Sequence, residues 1–308
     1  MNKKCFGISM MAALAAFAQT AGPKTFGTPE QARDALVQAA ASGLDALKVF
    51  FGPGSEEILR SGDPVQDKLR LERFNKWAAE KTELTVDAMN HDRVLLEVGK
   101  EEWPFPVPLI RKNGRWHWDL AEGKTEIRNR IIGGNELDAI QVCEGYVEAQ
   151  KRYAEVDRTG DGVRQYARHL VSTPGKKDGL YWPGGDSPVA AAIAKATAEG
   201  YATPTGGGRP YHGYLYKILM GQGPDAYLGA RDYLVHGVMI GGFGLVAWPA
   251  EYGVSGIKTF IVNQDGVVYE KDLGPNTAVV SKAMTKFNPD KSWQESPEDQ
   301  QDSPDDLP

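Results

Sequence analysis

The stretch from residue 135 to about residue 157 constrains this chain most, because it is long, amphipathic and firmly stopped. Leu137, Ile140, Cys143, Val147 and Ala154 recur on one stripe at helical spacing, and Val142, Tyr146 and Tyr153 broaden that stripe. A helix this apolar has to be covered by something else. It breaks at Asp157-Arg-Thr-Gly-Asp-Gly162, and the chain beyond offers short aromatic and β-branched runs at 211–219, 232–239, 243–249, 257–263 and 267–271. Asn263-Gln-Asp-Gly266 closes the last of these as a hairpin. A long helix followed by an antiparallel meander predicts an α+β fold.

The N-terminal residues address where the chain goes. Lys3 and Lys4 precede an apolar run at 6–17, and Ala16-Phe17-Ala18 offers a small-x-small cleavage site before Gln19. Residues 1–18 therefore read as a secretory signal peptide, and the mature protein as periplasmic or secreted. The run falls short of the roughly 20 residues a membrane helix needs, and nothing later approaches that length, so no transmembrane segment is expected. Cys5 precedes the apolar run, which argues against a lipoprotein anchor.

Charge narrows the partners. The chain has 35 basic and 41 acidic residues, a net charge of −6, and losing Lys3 and Lys4 brings it to −8. Glu295, Glu298, Asp299, Asp302, Asp305 and Asp306 supply six of the acids, in a proline- and serine-rich tail expected to be disordered over 292–308. What remains is nearly neutral, with no basic stripe to collect phosphates, so nucleic acid is not an expected partner. Loss of Cys5 leaves Cys143 without a disulfide partner, and core packing has to supply the stability. About 270 ordered residues exceed the usual size of a single core, so two domains are expected, 25–128 and 129–291.

In the first half, Thr28-Pro-Glu-Gln31 is a capping-box pattern with proline at the first helical position, and Ala32, Ala35, Leu36 and Ala39 follow at helical spacing. Helices are also expected at 44–51, 55–60 and about 64–81. The period then changes. Strands are expected at 93–98 and 106–110, and Lys112-Asn-Gly-Arg115 is a two-residue hairpin turn leading into Trp116-His-Trp-Asp-Leu120. Alternation puts Trp116 and Trp118 on one face and His117 on the other. The tryptophans are expected inside and His117 outside. This half resembles the cystatin-like cone fold of ketosteroid isomerases and their non-catalytic relatives. The resemblance implies a pocket between sheet and helices, with His117, Asp119, His91 and Glu102 as candidate acid–base groups.

In the second half, Cys143 reads as a small core hydrophobe, with no histidine nearby in sequence to activate it. Asp157, Thr159 and Asp161 carry oxygen ligands at calcium-loop spacing, but Arg168 stands where the bidentate glutamate belongs. The loop is expected to be structural, with aspartates accepting backbone N–H groups. A short helix is expected at 187–199 and a flexible connection from Gly206-Gly-Gly208. Ile240-Gly-Gly-Phe-Gly244 lacks the following helix that a phosphate cradle needs. Tyr211, His212, Trp248, Glu251 and Tyr252 form the one aromatic cluster with a histidine and a carboxylate, suited to a sugar or peptide fragment.

The order of helix and meander, with Asn135-Glu-Leu-Asp-Ala-Ile140 and Gly160-Asp-Gly-Val163, resembles the globular head of type IV pilins and pseudopilins. More specifically, Trp103-Pro-Phe-Pro-Val-Pro108, Gly179-Leu-Tyr-Trp-Pro183, Pro210-Tyr-His-Gly213 and Ala247-Trp-Pro-Ala-Glu-Tyr-Gly253 resemble the bacterial domain-of-unknown-function family 2950. That resemblance runs from about Thr25 to Trp293 and implies an exported protein of a Gram-negative bacterium, without implying an activity. The expectation is a non-catalytic envelope protein that binds a protein partner or ligand and carries no cofactor. The alternative is a periplasmic enzyme or small-ligand carrier using an aromatic pocket.

Overall fold

The computed structural model describes residues 24–192, 196, 201 and 209–297. The expected leader, the glycine run at 206–208 and the tail beyond residue 297 lie outside these residues, and the helix at 187–199 lies partly outside them. The described chain is α+β, with helices and mostly antiparallel sheets. Among the described residues, no helix is long and apolar enough to cross a membrane.

Four helices open the fold: α1 (Pro29–Ala41), α2 (Leu44–Phe51), α3 (Glu56–Leu59) and α4 (Pro64–Glu80). The Thr28 hydroxyl accepts from Gln31 N at 3.3 Å, and the Gln31 side chain reaches back to Gly27 N at 3.0 Å, so the capping signal forms one residue wider than the usual box. Asp63 caps α4 by accepting from Val65 N and Gln66 N. An antiparallel sheet follows, of β1 (Thr82–Val86), β2 (Arg93–Val98), β3 (Trp103–Pro104), β4 (Leu109–Lys112) and β5 (Arg115–Trp118), with β1-β2-β4-β5 in order and β3 on β2. Asn113 and Gly114 have φ of 54° and 73°, the positive pair that a type I′ turn requires. Trp116 and Trp118 are buried, and His117 on the opposite face is half-buried.

The long helix starts earlier than its sequence suggests. α5 (Leu120–Ala154) runs 35 residues, about 52 Å, and its cap is Asp119, which accepts from Ala121 N and Glu122 N. Gly133-Gly-Asn135 reads as a helix start in sequence, yet the helix passes through it. Ile131 and Ile132 are buried before the glycines, and Ala139 and Ile140 after them, so packing on both sides outweighs the weak helix propensity of two glycines. The expected domain boundary at 128/129 therefore falls inside α5.

After α5, β6 (His169–Val171) pairs in parallel with β7 (Gly179–Tyr181). The main sheet is assembled from β8 (Tyr214–Leu219), β13 (Gly244–Pro249), β14 (Lys258–Asn263), β15 (Tyr269–Asp272) and β17 (Gln294–Glu295), in the order β17-β15-β14-β13-β8. The segment expected as one strand at 232–239 is instead broken into the end of β10 (Arg231–Asp232), which pairs with β9 (Gly221–Gln222), and the hairpin of β11 (Leu234–Val235) with β12 (Val238–Met239). Positive φ at His236 and Gly237 turns that segment back on itself. Every residue of β13 is buried, because the sheet is covered on both faces. Leu245 and Ala247 join Phe260, Val262, Cys143 and Tyr146 beneath α5. Val246 and Trp248 join Ile261 and Phe287 on the face covered by α6 (Thr277–Ala283) and β16 (Lys286–Phe287). The expected tail also starts too early in the sequence reading: β17 lies on β15, and Trp293 packs into that second cluster. The strand after Ile240-Gly-Gly-Phe-Gly244 is β13, so those glycines lead into a sheet and not into a helix.

Candidate functional site

The helices of the first half line a half-open chamber of about 150 Å³. Its walls come from α1 (Leu36), α2 (Leu47, Phe51), α3 (Ile58), one face of α4, the strap at 103–107, and α5 (Ile127, Ile131). Asp67, Arg70, Leu71 and Phe74 line it at the i, i+3, i+4, i+7 spacing of one helix face. No residue of α4 is fully buried, whereas Leu36 and Val107 opposite are closed off from solvent, so the chamber lies against the less covered side of the helical layer. Gly123 lets α5 approach the strap, since a Cβ there would sit 2.7 Å from Val107 Cγ2. Phe105 packs against Trp118 edge-on at 5.4 Å, fixing the strap to the sheet.

Three charged side chains stand on this mostly apolar wall. Arg130 is committed: it donates to Glu126 at 2.7 Å and to Pro104 O at 3.0 Å, and lies over the Trp103 ring at 4.8 Å. Asp67 accepts from Ser61 N at 2.8 Å, and burial pushes its carboxyl above the usual carboxylate range. Arg70 is different. Its Nη1 is buried without a hydrogen-bond partner, at 4.0 Å from Asp67 Oδ1, although the side chain keeps 23% of its surface exposed. Desolvation lowers its basicity, yet an arginine stays protonated. Sequence reasoning passed over Asp67 and Arg70; their i, i+3 spacing ahead of Leu71 and Phe74 on one helix face is the signal that could have found them.

A second polar cluster joins the two halves. Asp63 Oδ2 accepts from the Tyr201 hydroxyl at 2.6 Å, and Gly213 N donates to the same oxygen at 3.4 Å. Burial next to this carboxylate pushes the Tyr201 hydroxyl up. His212 Nδ1 lies 2.7 Å from Asp138 Oδ2 and 3.0 Å from Gln66 Nε2, and the ring sits 4.2 Å from that of Tyr211. Neighbouring residues of α5 make parallel attachments. Asn135 Nδ2 donates to Ser255 O at 2.8 Å, and Glu136 Oε1 accepts from Ile257 N and Lys258 N, with burial pushing its carboxyl up. The Asn135-Glu-Leu-Asp138 wording thus ties α5 to the loops around the main sheet.

The structure splits the expected aromatic cluster. Tyr211 and His212 join the α4–α5 junction, whereas Trp248 lies in the core beneath α6 with its Nε1 buried and unpartnered. The Tyr252 hydroxyl goes to Asp272 instead, and Glu251 pairs through its backbone with Ser255 in the adjoining turn. None of the acid–base candidates lines the chamber. Asp119 caps α5, Glu102 pairs with Lys81 at 2.6 Å, His91 is exposed in a turn, and His117 sits in β5 on the sheet face opposite Trp116 and Trp118.

The 157–162 loop, which has calcium-loop spacing and is expected to be structural, is held by hydrogen bonds to the backbone. Asp157 accepts from Gly160 N and Gly162 N at 2.8 Å each and from Thr159 N at 3.2 Å, which keeps its carboxyl below the usual range. Asp161 accepts from Val163 N, and Gln165 Nε2 donates to Thr159 Oγ1 and Asp161 Oδ2. Arg168 Nη1 donates to Gly237 O. Cys143 is fully buried, and burial pushes its thiol far up.

No curated protein and no solved structure matches the chain. The profile of the family described as "Protein of unknown function (DUF2950)" matches residues 23–296, nearly the whole length, and the chain belongs to that family.

Proposed function

We propose that this is an exported, non-catalytic protein of a Gram-negative envelope that works by binding, and that the chamber between α1–α4 and α5 is its binding site. The observation that carries this reading is the chamber's lining: aliphatic and aromatic side chains, with three charged groups on its wall. Export is supported by the tripartite pattern of residues 1–18. We read the first half as a cystatin-like cone and the second as a pilin-head-like unit. Helices against an antiparallel sheet support the former, and α5 across the meander β13-β14-β15 supports the latter.

The volume bounds the occupant. Drug-sized ligands use pockets of about 300–1,000 Å³, whereas about 150 Å³ holds a benzene-sized group. A sugar or peptide fragment would project out of it. A single ring or a short acyl chain fits. The test combines two measurements on the full chain expressed with its own leader. Fractionation and intact mass are expected to find the protein in the periplasm starting near Gln19; recovery in the cytoplasm with Met1 intact refutes export. Fluorobenzene, followed by ¹⁹F NMR, is expected to bind, and Ile131→Trp, which fills the chamber, to abolish binding. Undiminished binding to that variant refutes the chamber as the site.

An enzyme is the second reading, favoured by one observation: Asp67, a carboxyl with its proton affinity raised by burial, lies on the chamber wall. Its engagement with Ser61 N weighs against its acting as a free base.

A further inference from the structure

We propose that the ligand of the chamber is a small apolar carboxylate, a ring-sized or short-acyl anion whose carboxylate is read by Arg70. This rests on the chamber being the binding site. Arg70 is the charged group on the wall with an unanswered donor: Arg130 is taken by Glu126, Pro104 O and Trp103, and Asp67 Oδ1 already accepts from Ser61 N. Arg70 Nη1 is shut away from water and makes no hydrogen bond, and the nearest carboxylate oxygen stands at 4.0 Å, the outer limit of an ion pair. A buried charged donor left in that state is costly, and because Nη1 itself is closed to a ligand, the carboxylate would meet the rest of the guanidinium, on a side chain that keeps 23% of its surface exposed and lines the chamber.

The neighbouring residues point to the same ligand. Leu71 and Phe74 flank Arg70 on the same helix face, and Leu36, Leu47 and Ile131 face them across the chamber. A ligand with a carboxylate at Arg70 would lay its apolar body among these side chains. Guanidinium and carboxylate match in planar geometry, so arginine favours a carboxylate over a neutral hydroxyl of the same size. Burial of the site strengthens the preference, because the pair is screened less than in water.

The experiment compares phenylacetate, toluene and benzylamine by NMR titration against the full chain. Phenylacetate is expected to bind roughly tenfold or more tighter than toluene, the usual gain of a charged hydrogen bond, and benzylamine weakest. Arg70→Met is expected to remove the preference for phenylacetate while leaving toluene within about threefold, and Arg70→Lys to restore part of it. Equal binding of phenylacetate and toluene to the unaltered chain overturns the carboxylate assignment and leaves the chamber standing. A preference for benzylamine overturns it as well, making Asp67 the reading group. Failure of all three to bind brings down the chamber reading along with this one. The ligand series on the unaltered chain decides the matter even if Arg70→Met does not fold.

Discussion

Replacing Gly133 and Gly134 by alanine tests whether α5 is one helix. Neither glycine has positive φ, and an added Cβ at either would meet nothing within 4 Å. Each sits inside a continuous helix between buried Ile132 and buried Asn135. Glycine in a helix interior is less favourable than alanine by roughly 0.5–1 kcal/mol, so Gly133→Ala with Gly134→Ala is expected to stabilise by about 1–2 kcal/mol. At about 2–4 °C per kcal/mol for a chain of this size, the melting midpoint rises by roughly 2–8 °C. The assay is urea unfolding followed by far-ultraviolet circular dichroism, with unchanged slope confirming that only stability moved. Gly213→Ala is the matched control. That residue has φ of +72° and its Cβ would lie 2.5 Å from Asn135 Nδ2, so the same substitution there is expected to cost about 2 kcal/mol or more. If the Gly133 and Gly134 variants destabilise like Gly213→Ala, the helix is broken between Ile132 and Asn135 and α5 is wrong as described.

Glu136→Gln keeps the acceptor for Ile257 N and Lys258 N and removes a buried charge. Because the folded Glu136 carboxyl is raised, its contribution is fully present below its unfolded value and is lost as pH rises through the folded one. The variant is therefore expected to gain stability relative to the parent at pH 7 and to lose that advantage near pH 4, and an advantage that grows on acidification contradicts the assignment. The Cys143 thiol is expected to stay inert to a thiol reagent in native protein lacking residues 1–18 and to react on unfolding, while Cys143→Ser costs about 1–3 kcal/mol by burying a hydroxyl among apolar neighbours. Rapid native labelling refutes that burial. Millimolar calcium is expected to leave the melting midpoint unchanged while Asp157→Ala lowers it, and a calcium-dependent rise that Asp161→Asn removes shows a metal site instead.

Local signals in the sequence were legible where one residue does one job. Thr28 caps a helix, Asn113-Gly114 turns a hairpin, and the Trp116–Trp118 alternation sets an inward face. The start of α5 was concealed because Gly133-Gly-Asn135 imitates a helix start, although Asp119 followed by Glu122 already carried the true capping signal. The strand β1 was missed because Thr82-Glu-Leu-Thr-Val86 follows a helix directly and is mostly exposed. The aromatic cluster was misleading for a different reason. Trp248 and Tyr252 are close in sequence, but Trp248 points into the α6-covered core while the Tyr252 hydroxyl reaches Asp272. The resemblance to a cone fold implied a pocket in this half, but its lining was not legible, since the wall gathers side chains from α1 through α5, and distant stretches come together only after packing.

Methyl-resolved NMR of the protein titrated with toluene tests the chamber as a binding site most directly. The lining methyls of Leu36, Leu47, Ile58, Leu71, Ile127 and Ile131 are expected to shift together along one binding curve, while those of Leu245, Val246 and Val262 in the main sheet stay in place. Shifts centred on the sheet, or none anywhere at saturating toluene, would contradict the binding site assigned to this fold.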